Sequence, residues 1–202
     1  MTTAIFGYGS LIFKPPPFDG LTSEAGYIKD HVRRFAQKSH DHRGTPEQPG
    51  RVVTLLTSEE WAPNRSDEPP RSNHVWGRVY RIPEELGPTI WPYLDHREKD
   101  GYTLRTVDVW GVRDGKEIII ESGCRVYVGE MDNPSFAGAT PMADLAKVMA
   151  TSVGPSGANR EYLYLLCDAV RALSPQSEDA YLKELERLVR LEGELLVTYQ
   201  FM

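Results

Sequence analysis

The chain has 202 residues, of which 40% are hydrophobic and 26% charged, and its formal net charge is −6. This is the composition of an ordinary globular protein, and its acidic balance argues against nucleic acid or an anionic membrane surface as a partner. No apolar run approaches the ~20 residues of a membrane span. The length favours a single domain over residues 1–202. Met1-Thr2-Thr3 has no basic region and no apolar stretch behind it, so no secretory signal is read. Cys124 and Cys167 are the two cysteines, form no CxxC, and suit a reducing compartment. A cytosolic location is expected, and oligomeric state is left open.

Residues 3–8 read as a first strand that runs into a glycine turn, Gly7-Tyr8-Gly9-Ser10-Leu11. Glycine permits close approach of another group, and consecutive free N–H groups in such a turn can cradle an anion. No helix is expected directly after Gly9. Lys14-Pro15-Pro16-Pro17 is an extended connector. Residues 25–38 fit a helical stripe and a strand equally well. A polar loop follows to Gly50, then Arg51-Val52-Val53-Thr54-Leu55-Leu56-Thr57 reads as a buried strand. Residues 58–73, rich in proline and charges of both signs, are expected as a surface loop insertion.

Residues 74–82 read as a strand, and Pro83-Glu84-Glu85 opens a short helix that Pro92 should cut or kink before a glycine stop at Gly101. Residues 102–110 form a strand, Asp114-Gly115 a hairpin turn, and 117–121 and 124–128 two further strands. Thr140 is expected to cap a helix with Pro141 at its first position. Tyr162, Leu166, Val170 and Leu173 recur at helical spacing, as do Tyr181, Leu185 and Leu188. Strands first and helices last indicate an α+β fold with an antiparallel or mixed sheet.

The chemistry-bearing candidates are few. Glu98 sits in the charged run Asp95-His96-Arg97-Glu98-Lys99-Asp100, which by itself reads as a solvated helix end. His40 and His42 have the spacing to share a strand face, but a zinc site needs three or four ligands and none joins them nearby, so no metal is expected. Cys124 and Cys167 read as small core residues. No nucleotide-binding or G-x-S-x-G motif is present.

Taken together, ordered blocks resemble the ChaC-type γ-glutamylcyclotransferases. They are Phe6-Gly7-Tyr8-Gly9-Ser10-Leu11-Ile12, Arg33-Arg34-Phe35, Asp41-His42-Arg43-Gly44-Thr45-Pro46 and Pro49-Gly50-Arg51-Val52-Val53-Thr54-Leu55. Val75-Trp76-Gly77, Tyr93-Leu94-Asp95-His96-Arg97-Glu98, Asp132-Asn133-Pro134 and Gly154-Pro155-Ser156-Gly157 continue the series. The departures are small: Phe13 where the family often has tryptophan, His40 for a threonine, and Lys99-Asp100-Gly101 for K-G-G.

The resemblance implies a mixed sheet or small barrel with flanking and C-terminal helices. It also implies cleavage of glutathione to 5-oxoproline and cysteinylglycine without a cofactor. It assigns the γ-glutamyl group to Tyr8-Gly9-Ser10-Leu11, with Ile5, Phe6 and Gly7 leading into the turn as further substrate-binding residues, and the catalytic base to Glu98. Arg43 and Arg34 could each pair with a substrate carboxylate, a structural salt bridge being the competing reading. Tyr162 either reaches the substrate by its hydroxyl or packs as core. Other γ-glutamyl peptides or amines as substrates, and a non-catalytic glutathione-binding module, are the alternatives.

Overall fold

The computed structural model describes residues 3–64, 68–69, 74–98 and 101–200. Its centre is a closed barrel of β1 (Thr3–Gly7), β2 (Thr22–Lys29), β5 (His74–Ile82), β6 (Tyr102–Arg113) and β7 (Lys116–Gly129), in the order β1-β5-β2-β6-β7. The pairs are antiparallel except the closing one, where β1 meets β7 in parallel at Ile5 and Arg125. Closure leaves the five strands no free edge. β3 (His31–Ser39) and β4 (Gly50–Thr57) form a separate antiparallel ribbon.

Strand alternation distributes the core. On β1, Ala4 and Phe6 face the large cluster built on the ribbon and the C-terminal helices, while Ile5 faces a second cluster. That second cluster seats α3 (Gly87–Arg97) through Ile90 and Leu94, one helical turn apart, against Leu11, Tyr80, Ile82 and Tyr127. The C-terminal helices are α4 (Met142–Thr151), α5 (Asn159–Arg171) and α6 (Ala180–Gln200). They bury Leu145, Met149, Leu163, Leu166, Leu185 and Val189 in the large cluster. No helix among the described residues is long and apolar enough to cross a membrane.

Several sequence expectations change. Residues 25–38 are two strands in two different sheets, separated by a bend at Asp30, which adopts φ 59°. A one-turn helix, α1 (Ser10–Phe13), does follow Gly9. Residues 58–73 do not begin as an open loop: α2 (Ser58–Trp61) and a 3-10 turn over Ala62–Asn64 come first. Thr57 and Glu60 cap α2 reciprocally, and Trp61 is buried with Val32, Ala36 and Leu56. Residues 65–67 and 70–73 of that expectation lie outside the described residues, as do Lys99 and Asp100.

Pro92 does not cut α3, which runs for 11 residues with Pro92 inside it and Pro88 in its first turn. Proline at a first turn removes an N–H that has no helical acceptor in any case. The expected strands at 117–121 and 124–128 are one strand, β7. It is bent at Gly123 (φ 62°) where the register with β6 slips. Asp108 holds that bulge, accepting from Gly123 N at 2.9 Å and Ser122 Oγ at 2.8 Å. Asp114 (φ 51°) and Gly115 (φ 74°) make the expected hairpin turn. At α4 the cap is Pro141, not Thr140, and helix starts at Met142.

Candidate active site

A cavity of about 340 Å³ opens where the turn after β1, the β3–β4 loop, the end of α3 and the start of α5 converge. Its walls include Phe6, Gly7, Tyr8, Gly9, Ser10, Leu11, Arg43, Glu98 and Tyr162. Residues up to 156 positions apart in the chain, Phe6 and Tyr162, are thus brought together at one place; the turn that begins the fold meets the helix that nearly ends it. Ile5 stands outside these walls. Its side chain points to the opposite face of β1, where it packs beneath α3, so it seats the helix that carries Glu98. Arg34 also lies elsewhere: it is buried in an ion pair with Glu68 at 2.6 Å.

The turn is held rigidly. The buried Arg33 guanidinium donates to the Tyr8 carbonyl at 2.7 Å and the Trp76 carbonyl at 3.1 Å. Tyr8 donates its hydroxyl to the Tyr127 carbonyl at 2.8 Å, and Tyr80 donates to the Leu11 carbonyl at 2.6 Å. Gly9 is the N-cap of α1. The N–H groups that open such a helical turn have no acceptor within it, and they lie at the cavity wall.

Glu98 follows α3 as its C-cap and donates its N–H to the Leu94 carbonyl at 2.9 Å. Burial pushes its carboxyl above the usual range, and Arg97, whose Nε stands 3.7 Å from Glu98 Oε1, partly offsets this. Tyr8 and Tyr162 feel the Glu98 charge. Burial first, and that charge second, lift both phenols well above 10. Arg43 is anchored by Nη1 to the Ala158 carbonyl at 3.1 Å and lies 3.7 Å from Glu161. Its guanidinium sits 5.7 Å from the Tyr162 ring centroid. Arg43 therefore has structural partners and also borders the cavity.

Sequence reasoning gave no role to Ser39, Ser156, Tyr127 or Tyr102, which also border the cavity. Ser156 arrives through the two-residue hairpin of β8 (Val153–Gly154) and β9 (Gly157–Ala158). Its N–H donates to the His42 carbonyl at 2.9 Å, and its hydroxyl lies 3.2 Å from His42 Nδ1. Tyr127 is a pleat position on β7 with its hydroxyl donating to Asp95 at 2.5 Å. Tyr127 carries no local signal and is brought in by barrel closure, whereas Ser156 belongs to the 154–157 block and is placed by the β8–β9 hairpin against His42. Among the described residues no group of three His, Cys, Asp or Glu side chains is placed to hold a metal ion. Cys124 and Cys167 are buried free thiols, each pushed up to about 12 by burial.

Residues 3–192 match the family model described as ChaC-like protein. The chain is 42% identical over 188 residues to the glutathione-specific gamma-glutamylcyclotransferase of Schizosaccharomyces pombe, covering 92% of this chain and 91% of that protein. It is 33% identical over 180 residues to the human glutathione-specific gamma-glutamylcyclotransferase 1, covering 88% of this chain and 74% of that one. A crystal structure of a yeast gamma-glutamyl cyclotransferase specific to glutathione superposes with a TM-score of 0.81 at 35% identity, covering 95% of this chain and 96% of that one.

Proposed function

The chain belongs to the ChaC-like family, and from that premise we propose that it cleaves the γ-glutamyl bond of reduced glutathione by intramolecular cyclisation. The products are 5-oxoproline and cysteinylglycine. The observation that carries the mechanism is a carboxylate largely shielded from water, Glu98, with 19% of its side chain exposed, in the same cavity as the 7–11 turn.

In the reaction the α-amine of the γ-glutamyl group attacks its own γ-carbonyl carbon. A carbon–nitrogen bond closes the lactam ring, and the bond to the cysteinyl nitrogen breaks. The nucleophile is tethered to its target, so the site has mainly to fold the chain back on itself and hold it there. Free α-amines titrate near ~8 or above and arrive protonated at neutral pH. Glu98 takes that proton and passes it to the leaving nitrogen. The second proton that the attacking nitrogen sheds as the lactam forms leaves with the cysteinylglycine amine, which departs as an ammonium. General acid–base help of this kind contributes about 10²–10⁴-fold. The burial that raises its affinity for a proton makes Glu98 a stronger base than a solvated carboxylate.

Negative charge that builds on the γ-carbonyl oxygen needs donors, and the N–H groups of Gly9, Ser10 and Leu11 are those the turn offers. One such donor is worth about 3–4 kcal/mol. Arg43 is the assigned partner for a substrate carboxylate, and the Tyr162 hydroxyl, beside Gly9, is a second polar contact. The proposed location is the cytosol, for which the buried, unpaired thiols of Cys124 and Cys167 are the support.

The test is release of 5-oxoproline from reduced glutathione by the purified chain, with and without a chelator, beside γ-glutamyl-alanine. Turnover of glutathione that survives the chelator supports the reading. Turnover of γ-glutamyl-alanine at equal or better efficiency moves the assignment to a broader cyclotransferase. Binding with no 5-oxoproline overturns catalysis.

A further inference from the structure

Arg97, the last residue of α3, reaches three places at once. Its Nη1 donates to the Lys14 carbonyl at 2.8 Å, its Nη2 donates to Ser10 Oγ at 2.9 Å, and its Nε lies 3.7 Å from Glu98 Oε1. These are the two halves of the site and the connector that leaves it. The helix end bearing the base comes from one segment, and the turn from another 87 residues earlier. Among the described residues the two are joined by the packing of Leu11 on Ile90 and Leu94 and, in polar contacts, by this guanidinium fork.

We propose that Arg97 is the positioning residue of this site, holding the Glu98 carboxylate and the Ser10 turn at one fixed spacing and orienting the Ser10 hydroxyl. The inference rests on the cyclotransferase reading above. Because Ser10 Oγ accepts from Arg97, its own proton is left to donate elsewhere, and Ser10 borders the cavity. Arg97 therefore turns Ser10 into a donor toward the substrate. Lysine cannot replace this, since a single ammonium does not span three separated points as a planar fork does.

The charge of Arg97 has its own effect. The cavity that Glu98 borders is also lined by His96 and Tyr93 of α3, by Tyr8 of the first turn, and by Tyr102 and Tyr127 of the barrel. Tyr162 of α5 lines it too, and Lys14, His42 and Arg43 bring the remaining charges from the connector and the β3–β4 loop. Burial lifts Tyr8, Tyr127 and Tyr162 far from neutrality. Among all these groups Arg97 is the cation whose field lowers Glu98.

The experiment is the pH profile of kcat/KM for 5-oxoproline release from glutathione by wild type, Arg97→Gln, Arg97→Lys and Glu98→Gln, with circular dichroism of each. Substrate ionisations are common to all, so a difference in the acidic limb belongs to the protein. Arg97→Gln is expected to move that limb up by about one pH unit, the low end of the effect of an opposite charge within 4–6 Å. Arg97→Lys is expected to keep the limb and raise KM several-fold, because the charge stays and the fork is lost. A folded Arg97→Gln with the wild-type limb and KM overturns the inference. If Arg97→Gln does not fold, Arg97→Lys decides, and a wild-type KM for it overturns the inference. Full activity in Glu98→Gln instead overturns the base itself, and this inference with it.

Discussion

Arg33 and Asp179 form an ion pair at 2.9 Å that ties the start of the last helix to the floor of the cavity. Arg33 is 1% exposed, and its other nitrogen donates to the carbonyl of Tyr8. Asp179 meanwhile accepts from Leu182 N at 3.2 Å, as an N-cap does, and so faces both ways. The turn at the cavity is thus held, through Arg33, by a residue of the C-terminal region.

The first prediction follows from that chain of contacts. Asp179→Ala leaves a buried guanidinium without its carboxylate and α6 without its cap. Removing one partner of a buried pair costs about 3–5 kcal/mol; Asp179 is partly exposed, which favours the low end, about 3 kcal/mol. Urea unfolding monitored by circular dichroism measures it. A loss below about 1 kcal/mol would mean that water replaces the carboxylate. In the folded fraction, KM for glutathione is expected to rise as the Tyr8 carbonyl loses its anchored donor.

Glu98→Gln should separate activity from stability. Activity is expected to fall about 10²–10⁴-fold. Stability is expected to rise at neutral pH. Burial lifts the folded carboxyl above its unfolded value, so between the two the folded state binds more protons than the unfolded one. Wild-type stability then falls as pH rises from about 4.3, the unfolded glutamate value, through the higher folded value. Glutamine carries no such cost. The Tm difference between variant and wild type should be positive at pH 7 and shrink toward zero at pH 4. Equal melting at both would place Glu98 in water, against its burial.

The strands β1, β4 and β5, the Asp114-Gly115 turn and the three C-terminal helices were legible because each rests on local signals: alternation, turn chemistry, helical spacing. The 25–38 stretch was not, since two similar strands, separated by one residue in a left-handed conformation, Asp30, belong to different sheets. In the site, the turn and Glu98 stood out through the ordered motif blocks. Ile5 was misjudged by its neighbours in sequence: strand alternation puts it on the opposite face from Phe6, under α3. Arg97 was visible as a charge beside Glu98, but its grip on Ser10 and Lys14 depends on how α3 packs over the barrel. Ser156 stood in a motif block without a role, and Tyr127 joins the site through barrel closure alone.

The segment expected as an insertion carries a third prediction. Glu68 binds Arg34 through Nη2 at 2.6 Å and Nε at 2.8 Å, and accepts from Trp61 Nε1 at 3.0 Å. Their side chains are 5% and 7% exposed. Glu68→Ala should destabilise by about 3–5 kcal/mol, as expected for an orphaned buried arginine. Arg34→Met with Glu68→Leu should recover most of that loss, since a buried pair is replaced by apolar volume. Trp61 fluorescence should shift in both, reporting the lost acceptor. A Glu68→Ala protein as stable as wild type would show that the pair contributes nothing.

The last prediction concerns Gly9. A Cβ built there would stand 2.8 Å from Val53 Cγ2 and 3.1 Å from the Tyr162 hydroxyl. The first distance is below any normal contact, and the buried Val53, β-branched and stiff at χ1, yields little. Gly9→Ala is therefore an overpacking change, expected to cost about 1–3 kcal/mol. It also narrows the cavity beside the proposed oxyanion donors, so kcat/KM should fall further than stability alone explains. Val53→Ala removes the clashing methyl. The two substitutions together should be less destabilising than the sum of each alone, by more than about 0.5 kcal/mol, the scale of coupling between touching residues. Strict additivity in urea melts of the four proteins of that cycle would show that the turn shifts away from Val53 instead, and would remove the packing argument for glycine at this position.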